Sequence, residues 1–525
     1  MALFELVIAL LMVGAVLSAV ARRYHVPYPA LLALAGGALA LVPDVPTVVL
    51  DPELALTLLV APVLLDAAFD SSPRDLRRNW RLVTGLALVA VGLTVAAVAV
   101  VARWIVPGLP WAAAVALGAI VAPPDAAAAT AVLRQLRPPH RILVVLEGES
   151  LFNDASALLI YRLAVSAAVT GAFAGWAAVP LLAAVAAGSV LLGAVLSRVI
   201  LAVIPRISDL ATAVVVQFLG TFAVWLVAER LHLSGIITVV VFAILVARVA
   251  PDQIPGRTRI QTYAVWETAV FVLNVLAFIL IGLQLKPILA RLSGSALTSY
   301  AIAALAICAT VVVVRIVWVA GYTLVSRWRG SPIPAGEAAV IAWCGMRGIV
   351  TVAAALALPD GGSESAFPYR DFILFTAFSV VLVTLVLQGL TVRPLMRTFC
   401  LRDDGSVDRE VRLARAEAAR AGLAVVEGGK GSSEFLTFLR RKYAARIERV
   451  ERDGQGSRSP ELERWQEFGR VVQQAQAAER RTLSDLRSRG VIGDDAFHQV
   501  EEELDWSEAA QGRNLVEPED SGAGS

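Results

Sequence analysis

The sequence predicts an all-α polytopic membrane protein: about thirteen transmembrane helices with inverted repeats and two discontinuous helices, plus a cytoplasmic helical tail. Three observations carry that prediction. The 525 residues are 57% hydrophobic and only 17% charged, a balance that excludes an ordinary soluble domain. Apolar runs long enough to cross ~30 Å of hydrocarbon at ~1.5 Å per residue recur from the N-terminus to about residue 396. After Leu401 the composition turns charged and such runs stop.

The runs are 3–21, 28–43 (a short one), 50–69, 82–104, 111–135, 142–170, 174–201, 208–229, 233–250, 260–285, 296–325, 335–358 and 371–396. The first opens with Glu5 rather than a basic segment, and Arg22-Arg23 follow it, the polarity of a retained span rather than a cleaved leader. Arg-rich loops follow every odd-numbered span: 22–25, 74–81, 134–141, 198–206, 247–259, 326–330 and 393–397. The loop at 359–371 leans acidic through Asp360, Glu364 and Asp371. By the positive-inside rule the N-terminus is then outside and the C-terminus cytoplasmic, with the plasma (cell) membrane as the setting. Residues 1–400 form the transport domain, 401–511 a cytoplasmic helical regulatory tail, and 512–525 a disordered end. Tail helices are expected near 407–427, 433–452, 460–489 and 494–511, the third starting at Ser459-Pro460.

Several features argue against other classes. Cys308, Cys344 and Cys400 lie in apolar sequence and read as small packing residues, not a disulfide framework. His25, His140, His232 and His498 fall in loops or the tail and read as solvated residues, not metal ligands. The glycines at 428–433 lack the spacing of a phosphate loop and read as a linker, so no nucleotide cofactor is expected and energy comes from ion gradients. A net charge of +2, segregated by position, gives no sign of a nucleic-acid partner.

Ionisable residues inside spans are costly and therefore functional candidates: Asp66, Asp125, Glu147, Glu149, Asp154, Glu267, Arg315 and Arg347. In EGESLFNDAS (147–156), Ser150 and Asp154 share one helical face, and Glu149 and Asn153 the neighbouring stripe. That division lets Asp154 face a cavity while Glu149 meets an arginine. Glu147, nearer the cytoplasmic end, reads equally well as solvated. In VAPPDAAAAT (121–130), Pro123 and Pro124 remove two backbone donors, and Asp125 stands where a half-helix restarts. A second interruption falls at WCGMRG (343–348), where Arg347 between Gly345 and Gly348 is placed to neutralise exposed carbonyls. Spans 4–5–6 and 11–12–13 each put a broken helix in the middle, the pattern of an inverted repeat with an ion site at the breaks.

The order APPDAAAATAVLRQL, EGESLFNDASALLIYR and GMRGIVTVAAALALP resembles the monovalent cation:proton antiporter family, in its sodium/proton exchanger (NhaP/NHE) branch. VLLDAAFD (63–70), HLSGIITVVV (232–241) and WETAVFVLNVLAFILIGLQ (266–284) extend the resemblance over most of residues 20–396, leaving the tail uncovered. It implies Asp154 as the residue alternately protonated and ion-bound, with Asn153 beside it, Asp125 in the unwound fifth helix and Ser150 helping to hold Na+. It further implies an ion pair of Glu149 with an eleventh-helix arginine, for which Arg315 stands, and a structural Arg347 at the broken twelfth helix. Asp66 and Glu267 are access or ion-pair residues in the same pattern. Many members carry Thr where this chain has Pro124, which removes an oxygen ligand and leaves ion selectivity open. A homodimer is implied by the resemblance alone.

The implied activity is secondary active antiport of Na+ (Li+ or K+ as alternatives) against H+, not enzymatic catalysis. A proton and a cation compete for one carboxylate, and the neutral Asn153 points to electroneutral one-for-one exchange. A cation channel would also use carboxylates and broken helices, without needing a protonatable Asp. An intramembrane aspartyl protease would need a GxGD motif, which this sequence lacks, beside a PAL-type loop.

Overall fold

Apolar runs inside a bilayer must satisfy every backbone amide internally, so helix is the form open to them. The structure, a computed structural model, describes residues 2–24, 26–43, 51–170, 178–207, 209–254, 256–290, 294–328, 333–359, 367–428, 434–452, 460–489, 491–492, 496–501, 503–505 and 507. Among these residues there is no strand. The chain divides into two compact units, Met1–Asp404 and Gly405–Ser525.

In the first unit the helices are α1 (Ala2–Tyr24), α2 (Tyr28–Ala40), α3 (Pro52–Asp70), α4 (Pro73–Ile105), α5a (Trp111–Val121) and α5b (Ala126–Leu133). There follow α6 (His140–Thr170), α7 (Ala178–Val203), α8 (Leu210–Arg230), α9 (Gly235–Gln253), α10 (Gly256–Leu283) and α11 (Gly294–Trp328). The last are α12a (Ala335–Trp343), α12b (Ile349–Leu356) and α13 (Arg370–Thr398). Both expected interruptions are present, at 122–125 and 344–348. Nine helical stretches among the described residues are long and apolar enough to cross a membrane. α2 and α9 are shorter, α6 carries too much charge to qualify, and α12 is broken, so thirteen crossings remain an expectation.

Local chemistry sets the helix starts. Side chains of Asp51, Ser72, Asp209 and Ser234 each accept from a backbone N–H three residues on, closing one of the donors that a helix start leaves open. At the solvated start of α8, the Thr212 hydroxyl and amide hold the Asp209 carboxyl below its usual value. The outer faces of α1, α7 and α11 expose Phe4, Met12, Leu181, Leu191, Leu305 and Val317, the solvation an apolar environment rewards. Trp104 and Trp328 stand exposed at helix ends, where amphipathic rings suit a membrane interface.

One helix crossing depends on missing side chains. A Cβ on Gly36 of α2 would meet the Ile279 carbonyl of α10, and one on Gly282 the Ala33 carbonyl and Gly37 amide. The two backbones approach so closely that small residues are required there.

The second unit holds α14 (Ser406–Gly428), α15 (Glu434–Arg452) and α16 (Pro460–Ser488), with Gly422 of α14 facing the ring of Tyr443 of α15. Of the fourth expected tail helix, only 496–501, 503–505 and 507 are described. Ser459, the linker at 429–433, His25, the acidic loop residues Asp360 and Glu364, and the tail end 512–525 lie outside the described residues. Cys308 and Cys344 are buried as expected for packing residues, whereas Cys400 is exposed just past α13, where the helix and its apolar packing end. Gly282→Leu should force α2 from α10 and lower the melting temperature of detergent-solubilised protein, at a cost of at least about 1–3 kcal/mol; an unchanged melt would contradict the crossing.

Candidate functional site

Each broken helix leaves carbonyls without intrahelical partners at its first half's end and free amides at its second half's start. The carbonyl ends are met by arginines. Arg347, 1% exposed, donates from Nε to Val121 O at 2.9 Å and from Nη2 to Ala122 O at 3.0 Å, closing the end of α5a. Its Nη1 donates to Gly345 O, and its own amide donates to Thr384 Oγ1 of α13 at 3.1 Å. Arg315 of α11 donates from Nε and Nη2 to Ile341 O in the last turn of α12a, at 3.1 and 3.0 Å. A guanidinium suits these positions because it has several donors and stays charged when buried.

Arg315 also holds Glu149 of α6 in a two-pronged pair, Nη1 to Oε1 at 2.5 Å and Nη2 to Oε2 at 2.7 Å, with both residues buried. The amide starts carry the acid. Asp125 caps α5b, accepting from Ala127 N at 2.9 Å, while its own amide donates to Met346 O at 2.7 Å. The two breaks therefore cross backbone to backbone. Gly348, the residue just before α12b, leaves room at the crossing: a Cβ there would fall on the Asp125 carboxylate. One carboxylate thus stands at the positive ends of two half-helices.

α6 passes beside the crossing. Asn153 is fully buried and donates from Nδ2 to Pro124 O at 3.1 Å, holding the unwound stretch; its Oδ1 is buried with no partner among the described residues. Ser150 Oγ lies 3.5 Å from the Ala126 amide at the start of α5b. Asp154, 4% exposed, accepts no hydrogen bond from the described residues, and the charges it faces are Asp125 and Glu149. Two residues further on, Ser156 donates to Ala87 O, inside a π-helical turn of α4, at 2.8 Å.

The structure brings together Asp125, Ser150, Asn153, Asp154, Pro123, Pro124 and Arg347 at the crossing, with the Glu149–Arg315 pair alongside. Asp66 and Glu267 stand apart. Asp66 on α3 is half-buried among Asp70, Arg134, Glu147 and Glu267, and Glu267 is exposed on α10. Glu147 is not simply solvated, since Arg134 donates to it at 3.1 Å. Sequence reasoning missed that pairing, and it missed Thr384, Gly348 as a seat for Asp125, and Ser156. Only Gly348, beside Arg347 in the break, carried a local signal. On the other flank of α6 a largely apolar cavity of 800 Å³ is lined by Phe152, Tyr161, Val185, Trp225 and Ile236. At that cavity Arg162 of α6 meets Glu229 of α8 at 3.4 Å.

Comparisons with known proteins agree with this geometry. Residues 7–398 match the family model described as sodium/hydrogen exchanger, transmembrane. The chain is 31% identical over 536 residues to an uncharacterized Na(+)/H(+) exchanger of Mycobacterium tuberculosis, covering 99% of this chain and 97% of the relative. It is 32% identical over 412 residues to a sodium, potassium, lithium and rubidium/H(+) antiporter of Bacillus subtilis, covering 74% of this chain and 60% of the relative. Its fold is similar to that of the sodium proton antiporter MjNhaP1 from Methanocaldococcus jannaschii, with a TM-score of 0.61 and 18% identity over 74% of this chain and 98% of that one.

Three single substitutions and one double variant test the geometry. Glu149→Gln or Arg315→Met alone should each lower stability by about 3–5 kcal/mol by stranding a buried charge, while replacing both residues with Met recovers much of the loss. Thermal melts of all three variants decide this, and equal damage in the double variant would refute a paired role. Gly348→Ala should push the Asp125 carboxylate off its seat and weaken Na+-dependent thermal stabilisation about tenfold in half-maximal concentration; unchanged Na+ dependence would refute it.

Proposed function

The chain belongs to the sodium/hydrogen exchanger family, and we propose that it exchanges Na+ for H+ one for one at the Asp154 carboxylate. The observation that carries this reading is a buried carboxylate that takes no hydrogen bond from the described residues and faces Asp125 across the broken-helix crossing. A charge so placed is costly to move through an apolar barrier. A proton or a cation on Asp154 removes that cost, and since both use the same oxygens only one binds at a time. Loaded sites then cross readily and empty ones poorly, which couples the two fluxes in opposite directions.

Asp125 and Ser150 complete the ion's surroundings, with Asn153 as the neutral neighbour. Because Asn153 is an amide committed to the Pro124 carbonyl, the site lacks a second adjacent carboxylate to carry an extra proton, which favours electroneutral exchange. Glu149, Arg315, Arg347, Pro123 and Pro124 hold the frame; Asp66 and Glu267 belong to the access route. K+ or Li+ in place of Na+ is the second reading. It is favoured by Pro124, which offers no side-chain oxygen, and by the breadth of cations in the Bacillus subtilis relative's name. In this reading residues 1–400 are the transport domain of a homodimer in the plasma membrane, serving pH homeostasis. The N-terminus lies outside, and residues 401–511 are a cytoplasmic regulatory tail.

Asp154→Asn tests the reading. In everted vesicles, where the variant inserts as the parent does, Na+-, K+- and Li+-dependent proton movement should all fall to background. Retained proton-coupled flux would refute Asp154 as the site, and saturation-free cation flux without proton coupling would favour a channel.

A further inference from the structure

The second unit carries a surface that ion exchange does not use. α15 buries one side against α14, where Tyr443 meets Gly422. Its other side exposes Phe435 (66%) and Phe438 (53%), together with Arg441, Lys442 and Arg446. Phe435, Phe438, Lys442 and Arg446 stand three, four and four residues apart, the spacing that stacks them on one stripe of a helix. Glu448 falls on the other half of the turn, the half it shares with Arg441 seven residues earlier. Residues 434–452 hold six basic side chains against three acidic ones. Positive charge is particular to this helix, since beyond residue 491 the chain is rich in acids and has Arg513 as its one Arg or Lys.

We propose that the Phe435–Arg446 face of α15 docks on the anionic headgroups of the bilayer that holds the first unit. Two observations select a lipid surface over a protein groove. The exposed rings are followed on the same stripe by cations, the arrangement of a helix lying in the membrane interface, with rings below the headgroups and cations among them. The connector from the last membrane helix to the tail is short, Phe399 to Asp404, and spans about 20 Å at full extension. The bilayer surface is therefore always within reach of the tail, and it needs no separate encounter. An anionic surface attracts each nearby cation by an amount equal to roughly a fivefold gain in affinity.

The test uses the full chain in nanodiscs of phosphatidylcholine alone or of phosphatidylcholine and phosphatidylglycerol in equal parts, with backbone hydrogen exchange followed over residues 434–447. Exchange should slow about tenfold or more in the anionic discs. It should return to the phosphatidylcholine rate in high salt and in R441Q/K442Q/R446Q, and part of the way in F435S/F438S. Equal exchange in the two lipids overturns the proposal. So does protection that persists in phosphatidylcholine, which would mean the acidic chain end or a second copy covers the face. Protection that survives the triple substitution also overturns it. Exchange over 406–428 reports whether each variant keeps the α14–α15 pairing; where it does not, the salt response of the parent chain decides, and salt-insensitive protection sinks the proposal.

Discussion

The constraint on which this structure turns is that backbone carbonyls buried in an apolar medium must find donors. Breaking two helices at mid-span exposes such carbonyls at Val121, Ala122 and Ile341, and the chain answers with Arg347 and Arg315. Each guanidinium brings a charge into the interior, and that charge must in turn be balanced. Glu149 balances Arg315 directly. The Arg347 guanidinium is hydrogen-bonded only to carbonyls among the described residues, so its countercharge lies in the carbonyl ends it caps. The breaks thus dictate both arginines, and the arginines dictate the glutamate.

With the frame settled, the acids at the crossing acquire different tasks. Glu149 is taken up by Arg315, while Asp125 and Asp154 face each other at the crossing. Asp125 is committed to the amides at the start of α5b and to the space left by Gly348. Asp154 takes no such bond from the described residues, which leaves it the less committed of the two carboxylates.

Much of this was legible locally. A double proline and a Gly-Met-Arg-Gly stretch mark the breaks because they alter the backbone's own donors and conformations, and the first three tail helices fall within a few residues of their expected limits. Membrane crossings were least legible at the site itself. α6 carries the charges the site needs and α12 carries the interruption, so neither looks like an ordinary span. Features that depend on a remote partner were not legible from spacing. Arg315 was assigned to Glu149 by resemblance; Arg134 beside Glu147 and Thr384 beneath the Arg347 amide have no local signal. Gly348 was noticed as a helix breaker, whereas its contact with Asp125 requires the other half of the fold.

The distribution of polar bonds also bears on how such a site is moved. Directional bonds tie α6 to α4 through Ser156, to α5 through Asn153 and to α11 through Glu149; α12 is tied to α5 and α13 through Arg347. Breaking any of these buried bonds strands a polar group, so the six helices are costly to separate. Toward α8 the contact across the 800 Å³ cavity is largely apolar, with one part-exposed pair, Arg162 and Glu229. Apolar contact is non-directional and a part-exposed ion pair is worth little, so parting this boundary strands fewer polar groups than parting the bonded set. Relative motion of these helices would therefore cost least along the α6–α8 side, with Asp154 and both broken helices inside the bonded set.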